Sequence, residues 1–181
     1  LVRTSHDQNG GFIVLNGICK VYLSVIRGTP ALVQLLIIFY VILSSVNNKI
    51  LVAVIAFGLN SAAYVAEVVR SGIMAVDFGQ FEAGRSLGFT YGQTMLYIVF
   101  PQAFKAILPS LANEFITLLK ESSVAFYIGV ADLTRGGIKI RSQTYSNFMP
   151  LLAVALIYFV LVLGLTKLVG ILERRLRKSE R

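Results

Sequence analysis

The sequence offers little material for a conventional active site. It contains one cysteine, Cys19, one histidine, His6, and no tryptophan among 181 residues. A single cysteine excludes an internal disulfide, and together with one histidine it leaves few of the ligands that zinc prefers. No paired nucleophile and base stand at motif spacing, and no phosphate-binding Gly-x-x-x-x-Gly-Lys-Ser/Thr segment occurs. We therefore expect no catalytic, cofactor-binding or metal-binding residues.

Charge is also scarce. Only 14% of the residues are charged, whereas 56% are hydrophobic. A soluble domain of this length needs more polar surface, so the composition indicates a membrane protein. The net charge of +8 does not indicate nucleic-acid binding, because the basic residues collect at the ends of apolar stretches and in the tail, residues 173–181. This distribution is typical of contact with anionic lipid.

Four apolar stretches approach the roughly 20 residues that a membrane-spanning helix needs. They cover residues 31–46, 50–69, 94–119 and 149–172. The polar, glycine-containing segment 120–148 predicts a short re-entrant or surface helix followed by a loop. We expect an all-α transmembrane bundle of about four spans in one domain, residues 1–181, with residues 1–30 as a cytoplasmic or interfacial leading segment.

Lysine and arginine counts set the orientation of these spans. Ten of these residues fall on the side that holds residues 1–30, 70–93 and the tail, and five fall on the opposite side. Because positive charge accumulates in cytoplasmic loops, residues 70–93 and the tail are predicted to face the cytoplasm.

The chain turns polar between the second and third apolar stretches, over residues 77–93, DFGQFEAGRSLGFTYGQ. Asp77 with Gln80 predicts a capping box, Gly88 stands where a left-handed residue ends a helix, and Thr90 with Gln93 predicts the next cap. These signals define a helix of about ten residues, which is marginal alone in water. Its small residues, flanked by the apolar anchors Phe81 and Leu87, favour docking in a partner's groove, and a helix on the membrane surface is the alternative.

Part of this segment resembles the EAA loop of ATP-binding cassette importer permeases. Glu82-Ala83-Gly84, then Gly88 after three residues, then Ile98-x-Phe100-Pro101 after nine more, keeps the spacing of that motif. Gly84 stands where the motif has a second alanine, and Phe100 stands where it has leucine. Glycine lowers helix propensity by up to about 1 kcal/mol relative to alanine.

Four other segments resemble the polar amino-acid subfamily of these permeases: residues 27–35, 59–73, 108–123 and 172–177. Members of that subfamily usually carry one more span before the first of these segments. Residues 1–26 fit the pattern poorly, so we expect that the first family span is missing.

The resemblance implies a function and a set of partners. The chain would be a permease subunit of an ATP-driven importer for polar amino acids in the bacterial inner membrane. It would form a channel with a second permease subunit, stand on cytoplasmic ATPase subunits that bind the ATP, and receive substrate from an extracytoplasmic binding protein. Residues 77–93 would hold the coupling helix, whose contact residues would be Glu82, Ala83, Gly84 and Gly88.

Polar residues inside the second stretch leave two hypotheses open. Asn60 and Glu67 share one face of the predicted helix, whereas Gly58, Ala62 and Ala66 share another, where small side chains permit close helix packing. The polar pair either lines the substrate path or joins helices. If Glu67 instead binds a coupling ion, the protein would be an ion-coupled secondary transporter, which is the alternative function.

Asn113 and Glu114 raise a similar question near the predicted outer end of the third stretch. A zwitterionic amino acid needs an anion for its ammonium group and donors for its carboxylate, and this region contains both. The pair is therefore a candidate part of the substrate path. The alternative is a local ion-pair network with Lys120 and Glu121 that stabilises the following turn.

Overall fold

The computed structural model describes residues 10–178. Every regular element in that range is a helix. The helices are α1 (Gly10–Gly28), α2 (Ala31–Ile37), α3 (Lys49–Met74), α4 (Gly79–Ser86), α5 (Tyr91–Thr94), α6 (Phe100–Glu121), α7 (Leu133–Thr144) and α8 (Phe148–Lys178). A π-helical segment, Ile38–Ile42, extends α2, another, Met95–Val99, joins α5 to α6, and a 3-10 helix, Ser122–Ile128, extends α6. His6 and the last residues of the basic tail, 179–181, lie outside the described range.

Three helical units are long and apolar enough to span a membrane: Lys49–Met74, Tyr91–Ile128 and Phe148–Arg174. A fourth unit combines α1 with α2 and its π-helical extension, which pass the same test together although they are bent by 110°. The predicted all-α transmembrane fold with about four spans is therefore confirmed. The stretch predicted at residues 31–46 is helical only to Ile42 and is too short to pass this test by itself.

Helix α1 occupies most of the region expected to be a leading segment. Its 19 residues give a length of about 28 Å, close to the thickness of a bilayer's hydrocarbon core. The hydroxyl of Tyr22 donates to the carbonyl of Leu59 at 2.5 Å, and Arg27 pairs with Glu67 at 3.4 Å. The residue numbers of these contacts increase together along the two helices, so α1 runs in the same direction as α3. The apolar face is interrupted by Asn16 and Lys20, which explains why the sequence did not indicate a span.

Helix α2 turns back after Pro30 and runs opposite to α3, and this pairing builds the main core. Leu35 and Ile38 of α2 pack with Val52 and Ala56 of α3 and with Ile128. Outside this core most large apolar side chains are exposed, and the most apolar 18-residue window of α8 has no residue buried within the chain. Such a surface requires lipid or partner subunits around it.

Helix α3 packs closely on α6, but not through the residues predicted for close approach. Gly58, Ala62 and Ala66 are exposed in this chain. Gly72 makes the contact instead, because a Cβ atom added there would overlap the side chain of Ile107. Periodicity shows which residues share a face and not which neighbour the face meets, so close packing at Gly58, Ala62 and Ala66 stays a prediction.

The prediction of a loop after a short helix in residues 120–148 is only half right. The 3-10 helix Ser122–Ile128 is the short helix, but α7 occupies much of the predicted loop. Asp132 begins α7 by accepting a hydrogen bond from the backbone of Arg135 at 2.7 Å. Gly137 is buried, and a Cβ atom added there would overlap Val154 of α8. The glycines that indicated a loop thus permit tight packing of a helix.

Candidate functional site

The polar segment 77–93 folds into helix α4 and the start of α5, as predicted. The first cap differs from the predicted capping box. The Asp77 carboxylate accepts from the backbone of Gly79 at 3.1 Å, and the side chain of Gln80 bonds to Gln102 instead of reaching back. The reason is that Phe78 is already helical, with φ −59° and ψ −30°. Asp77 therefore stands too far from the first turn to form the reciprocal pair and makes an Asx turn.

Gly88 ends α4 in the left-handed conformation that the sequence predicts, with φ +80°. The backbone N–H of Gly88 donates to the carbonyl of Arg85 at 2.9 Å, and that of Phe89 donates to Gly84 at 3.0 Å. These two bonds form a Schellman motif, which stops the helix and reverses the chain. Helix α4 thus has eight residues and is about 12 Å long, slightly shorter than predicted.

The second predicted cap is confirmed. The backbone N–H of Thr90 donates to the side chain of Gln93 at 2.9 Å, and the backbone N–H of Gln93 donates to the Thr90 hydroxyl at 3.4 Å. This reciprocal capping box starts α5 directly after the turn at Gly88. Helix α4 is therefore held between two defined turns.

One face of α4 rests on α5. Gly84 is buried there, and a Cβ atom added to it would lie 2.5 Å from the hydroxyl oxygen of Thr94, whose residue is only 1% exposed. The glycine that departs from the EAA pattern therefore fits a threonine ten positions later. Two further contacts support the packing: Phe81 stacks on Tyr91 with ring centroids 6.2 Å apart, and Gln102 donates to Gln80 at 3.2 Å.

The opposite face of α4 is free. Glu82 and Ala83 are exposed, and Leu87, one of the two predicted apolar anchors, is 71% exposed. Phe81, the other predicted anchor, is half-buried against Tyr91. The second exposed apolar residue on this surface is instead Phe78, which is 66% exposed and was not predicted from the sequence. An apolar residue directly before a short polar helix was the available signal.

Asn60 lies at the junction of the first three helices. It is 3% exposed, and its side-chain amide donates to the Gln34 carbonyl oxygen at 2.9 Å. Gln34 in turn donates to the carbonyl of Ile26 and to the hydroxyl of Thr29, both at 2.7 Å. The chain of bonds ties the α1–α2 corner to α3. Gln34 was missed, although an amide within an apolar stretch is a usable signal.

Glu67 lies between two arginines. Arg70 donates to its carboxylate through Nε at 3.0 Å, and Arg27 pairs with it at 3.4 Å. The Arg27 guanidinium also lies 6.0 Å from the ring centroid of Tyr64. The cluster joins the end of α1 to the C-terminal half of α3. A carboxylate that is paired twice within its own chain is poorly placed to bind a coupling ion.

Glu114 and Asn113 lie apart from this cluster. Glu114 shares a face of α6 with Ile107, which contacts Gly72, and with Leu118, which lines a cavity beside Gly58. It therefore faces α3 near the middle of that helix. The four predicted path residues form two groups on different faces of α3.

The predicted local network around Glu114 does not form. Within residues 10–178, no ion pair or hydrogen bond joins the side chains of Glu114, Lys120 and Glu121. Glu114 is half-buried and Asn113 is exposed, and neither has a side-chain hydrogen bond in the described part of the chain. The same residues contain no group of three or more His, Cys, Asp or Glu side chains that could hold a metal ion.

Residues 11–178 match the family described as binding-protein-dependent transport system inner membrane component. The match includes nearly all of α1, so it extends further toward the amino terminus than the motifs after residue 26. Over 166 residues, the chain is 43% identical to the arginine transport system permease protein ArtQ of Bacillus subtilis (strain 168), covering 90% of the chain and 76% of that protein. It is 35% identical over 172 residues to the glutamine transport system permease protein GlnP of Escherichia coli (strain K12), with coverages of 93% and 78%.

Solved structures show the same architecture. An amino acid ABC transporter crystallised with histidines superposes with a TM-score of 0.86 at 48% identity, covering 90% of this chain and 77% of the other. An inward-facing structure of the MetNI methionine ABC transporter superposes with a TM-score of 0.76 at 18% identity, with coverages of 96% and 79%, which shows a shared fold.

Proposed function

Because this chain belongs to the family of binding-protein-dependent transport system inner membrane components, we propose that it is the membrane-spanning subunit of an ATP-driven importer for polar amino acids. The relatives named for arginine and glutamine transport share an α-ammonium and an α-carboxylate in their substrates. The subunit supplies the translocation path in the inner membrane. It has no catalytic residue and binds no cofactor, since ATP is bound and hydrolysed by partner subunits.

The free face of α4 supports coupling to those ATPase subunits and is the observation that carries the proposal. Glu82, Ala83 and Leu87 are exposed on a short helix whose other face is packed and whose ends are both capped. An exposed apolar anchor beside a carboxylate fits a groove with apolar and cationic lining. Gly84 and Gly88 shape this helix, and Glu82 with Ala83 contacts the partner. The coupling loop and the basic tail lie in the cytoplasm.

The remaining partners follow from the exposed apolar surface and the family. A second permease subunit, identical or different, covers part of the span surface and completes the channel, and lipid covers the rest. An extracytoplasmic binding protein delivers the amino acid to the side opposite α4. Reconstitution in vesicles tests the assembly: labelled arginine or glutamine should enter only when binding protein, both ATPase subunits and ATP are present. Uptake driven by an ion gradient without ATPase subunits would instead support the alternative in which Glu67 binds an ion.

Glu114 is the residue that we assign to substrate recognition. Its half-buried carboxylate lies on the α3 side of α6 without a partner in the described chain, so it can accept the ammonium group of an amino acid. Asn113 adds an amide beside it. Asn60 and Glu67 serve the path indirectly, because their bonds hold α1 and α2 against α3.

Changing Glu114 tests this assignment. The Glu114→Gln variant should raise the KM for uptake by about ten- to hundredfold, because a hydrogen bond to a charged group contributes about 1.5–3 kcal/mol. Glu121→Gln is the comparison variant: Glu121 lies on the same helix face near the end of α6, where its charge acts on Glu114, so KM should change by clearly less than in Glu114→Gln. Unchanged affinity and rate in Glu114→Gln would contradict the assignment.

A further inference from the structure

Helix α4 is attached very differently on its two sides. On one side it packs directly on α5 and on the π-helical segment Met95–Val99. A cavity of about 560 Å³ lies between α4 and the end of α3, with Ile73 and Met74 on the α3 wall and Phe81 and Arg85 on the α4 wall, and Tyr91 and Met95 close it at the α5 end. Its covalent link to α3, residues 75–78, therefore borders open space, whereas its non-covalent support is α5.

The packed side has no room for independent movement. Thr94 is 1% exposed and lies against Gly84, so close packing leaves little space between the two helices there. The Gln80–Gln102 hydrogen bond and the Phe81–Tyr91 stack hold α4 at two more places. Tilting α4 relative to α5 would break all three contacts.

We propose that α4 and the start of the following helical unit, residues 91–102, move as one rigid body, and that Gly84 and Thr94 are positioning residues that carry displacement of α4 into α6. The link at residues 75–78 is then a passive tether. This inference rests on the proposed function, in which ATPase subunits displace α4. Glu114 lies 20 residues beyond Thr94 in the same helical unit, about 30 Å along the helix axis, with Pro109 between them.

Removing the fit between Gly84 and Thr94 is the first test. In the complete transporter in vesicles, Gly84→Ala should lower uptake per ATP hydrolysed by about tenfold or more, since overpacking at a rigid contact forces the two helices apart. Adding Thr94→Ala removes the overlapping atoms and should restore uptake per ATP hydrolysed to within about twofold of the unmodified protein. Co-purification of the ATPase subunits should remain unchanged in both variants. Loss of the ATPase subunits from Gly84→Ala, or no rescue by Thr94→Ala, would contradict the proposal.

Loosening the tether is the matched control. The double variant Ala75→Gly/Val76→Gly makes the α3–α4 link more flexible and should leave uptake per ATP within about twofold of the unmodified protein. A fall as large as that of Gly84→Ala would mean that force passes through α3, and the proposal would be wrong.

A cross-link tests rigidity without depending on the folding of Gly84→Ala. Gln80→Cys with Gln102→Cys, in a Cys19→Ser background, can be joined by a short bifunctional thiol reagent because the two native side chains are in contact. Uptake should persist after cross-linking if α4 and α6 do not move relative to each other, and blocked uptake would overturn the rigid body. An unmodified assembly that shows no ATP-driven uptake would instead contradict the proposed function itself.

Discussion

Helices α4 and α7 are the two short helices that connect the spans, and they lie at opposite ends of the bundle because one span, Tyr91–Ile128, separates them. Each contains a buried glycine that allows close packing: Gly84 against Thr94, and Gly137 against Val154. The exposed surfaces differ. Helix α4 and its two flanking residues expose one carboxylate, Glu82, one cation, Arg85, and the apolar side chains of Phe78 and Leu87, whereas α7 exposes three cations, Arg135, Lys139 and Arg141.

The ends of the two helices differ as well. Helix α4 ends in a Schellman motif at a glycine, and the next capping box follows at once. Helix α7 ends at Tyr145, a non-glycine residue with φ +52°. A left-handed conformation is unfavourable for a side chain such as tyrosine, so α7 depends on its packing against α8 to stay in place. Similar glycine packing thus occurs in two kinds of helix. The ends of α4 are determined by residues close in the sequence, whereas the position of α7 is determined by its contact with α8.

The largest effect, on ATP-driven uptake, is expected from disrupting the glycine turn that ends α4. Gly88→Val puts a β-branched residue at φ +80° and should lower ATP-driven uptake by about tenfold or more while leaving membrane insertion largely intact. Gly92→Val is the matched control, because Gly92 has open space around it and no positive φ. The measurement is uptake in vesicles at equal protein content. Full uptake by Gly88→Val would show that α4 does not need its left-handed end.

A smaller effect is expected from breaking the packing that specifies α7. Gly137→Ala should lower the unfolding free energy in detergent by about 1–3 kcal/mol, because the added methyl overlaps Val154. Gly136→Ala, one position earlier, has open space and should be neutral or stabilising by up to about 1 kcal/mol. Thermal unfolding of the two variants measures the difference directly. Equal melting temperatures would show that α7 does not depend on this contact.

The smallest effect is expected from the local signal that α7 does have. Asp132→Ala removes the cap on Arg135 and should cost about 1 kcal/mol in the same unfolding measurement, less than Gly137→Ala. Asp132→Asn keeps an oxygen acceptor and should recover most of that loss. A larger loss from Asp132→Ala than from Gly137→Ala would reverse the comparison, because α7 would then be specified locally like α4.

Much of the architecture could be predicted because the signals are local. Composition and the lengths of apolar stretches indicated the spans, and the spacing of Thr90 with Gln93 and the position of Gly88 indicated the turns around α4. Each of these features depends on residues within one or two turns of each other. Helix α1 was not predicted because polar side chains interrupt its apolar face.

The sequence by itself determined that this is a helical membrane protein, that a short capped helix interrupts its spans, and to which family its motifs belong. The tertiary structure alone decided which faces meet: Gly72 and not Gly58 packs on α6, Asn60 bonds to Gln34, Glu67 is held by two arginines, and Glu114 has no side-chain hydrogen bond or ion pair within residues 10–178. The physical reason is the separation along the chain between the residues that interact. A cap or a span needs only neighbours in the chain, whereas the role of a polar side chain in a membrane depends on which distant group, if any, the fold brings to it.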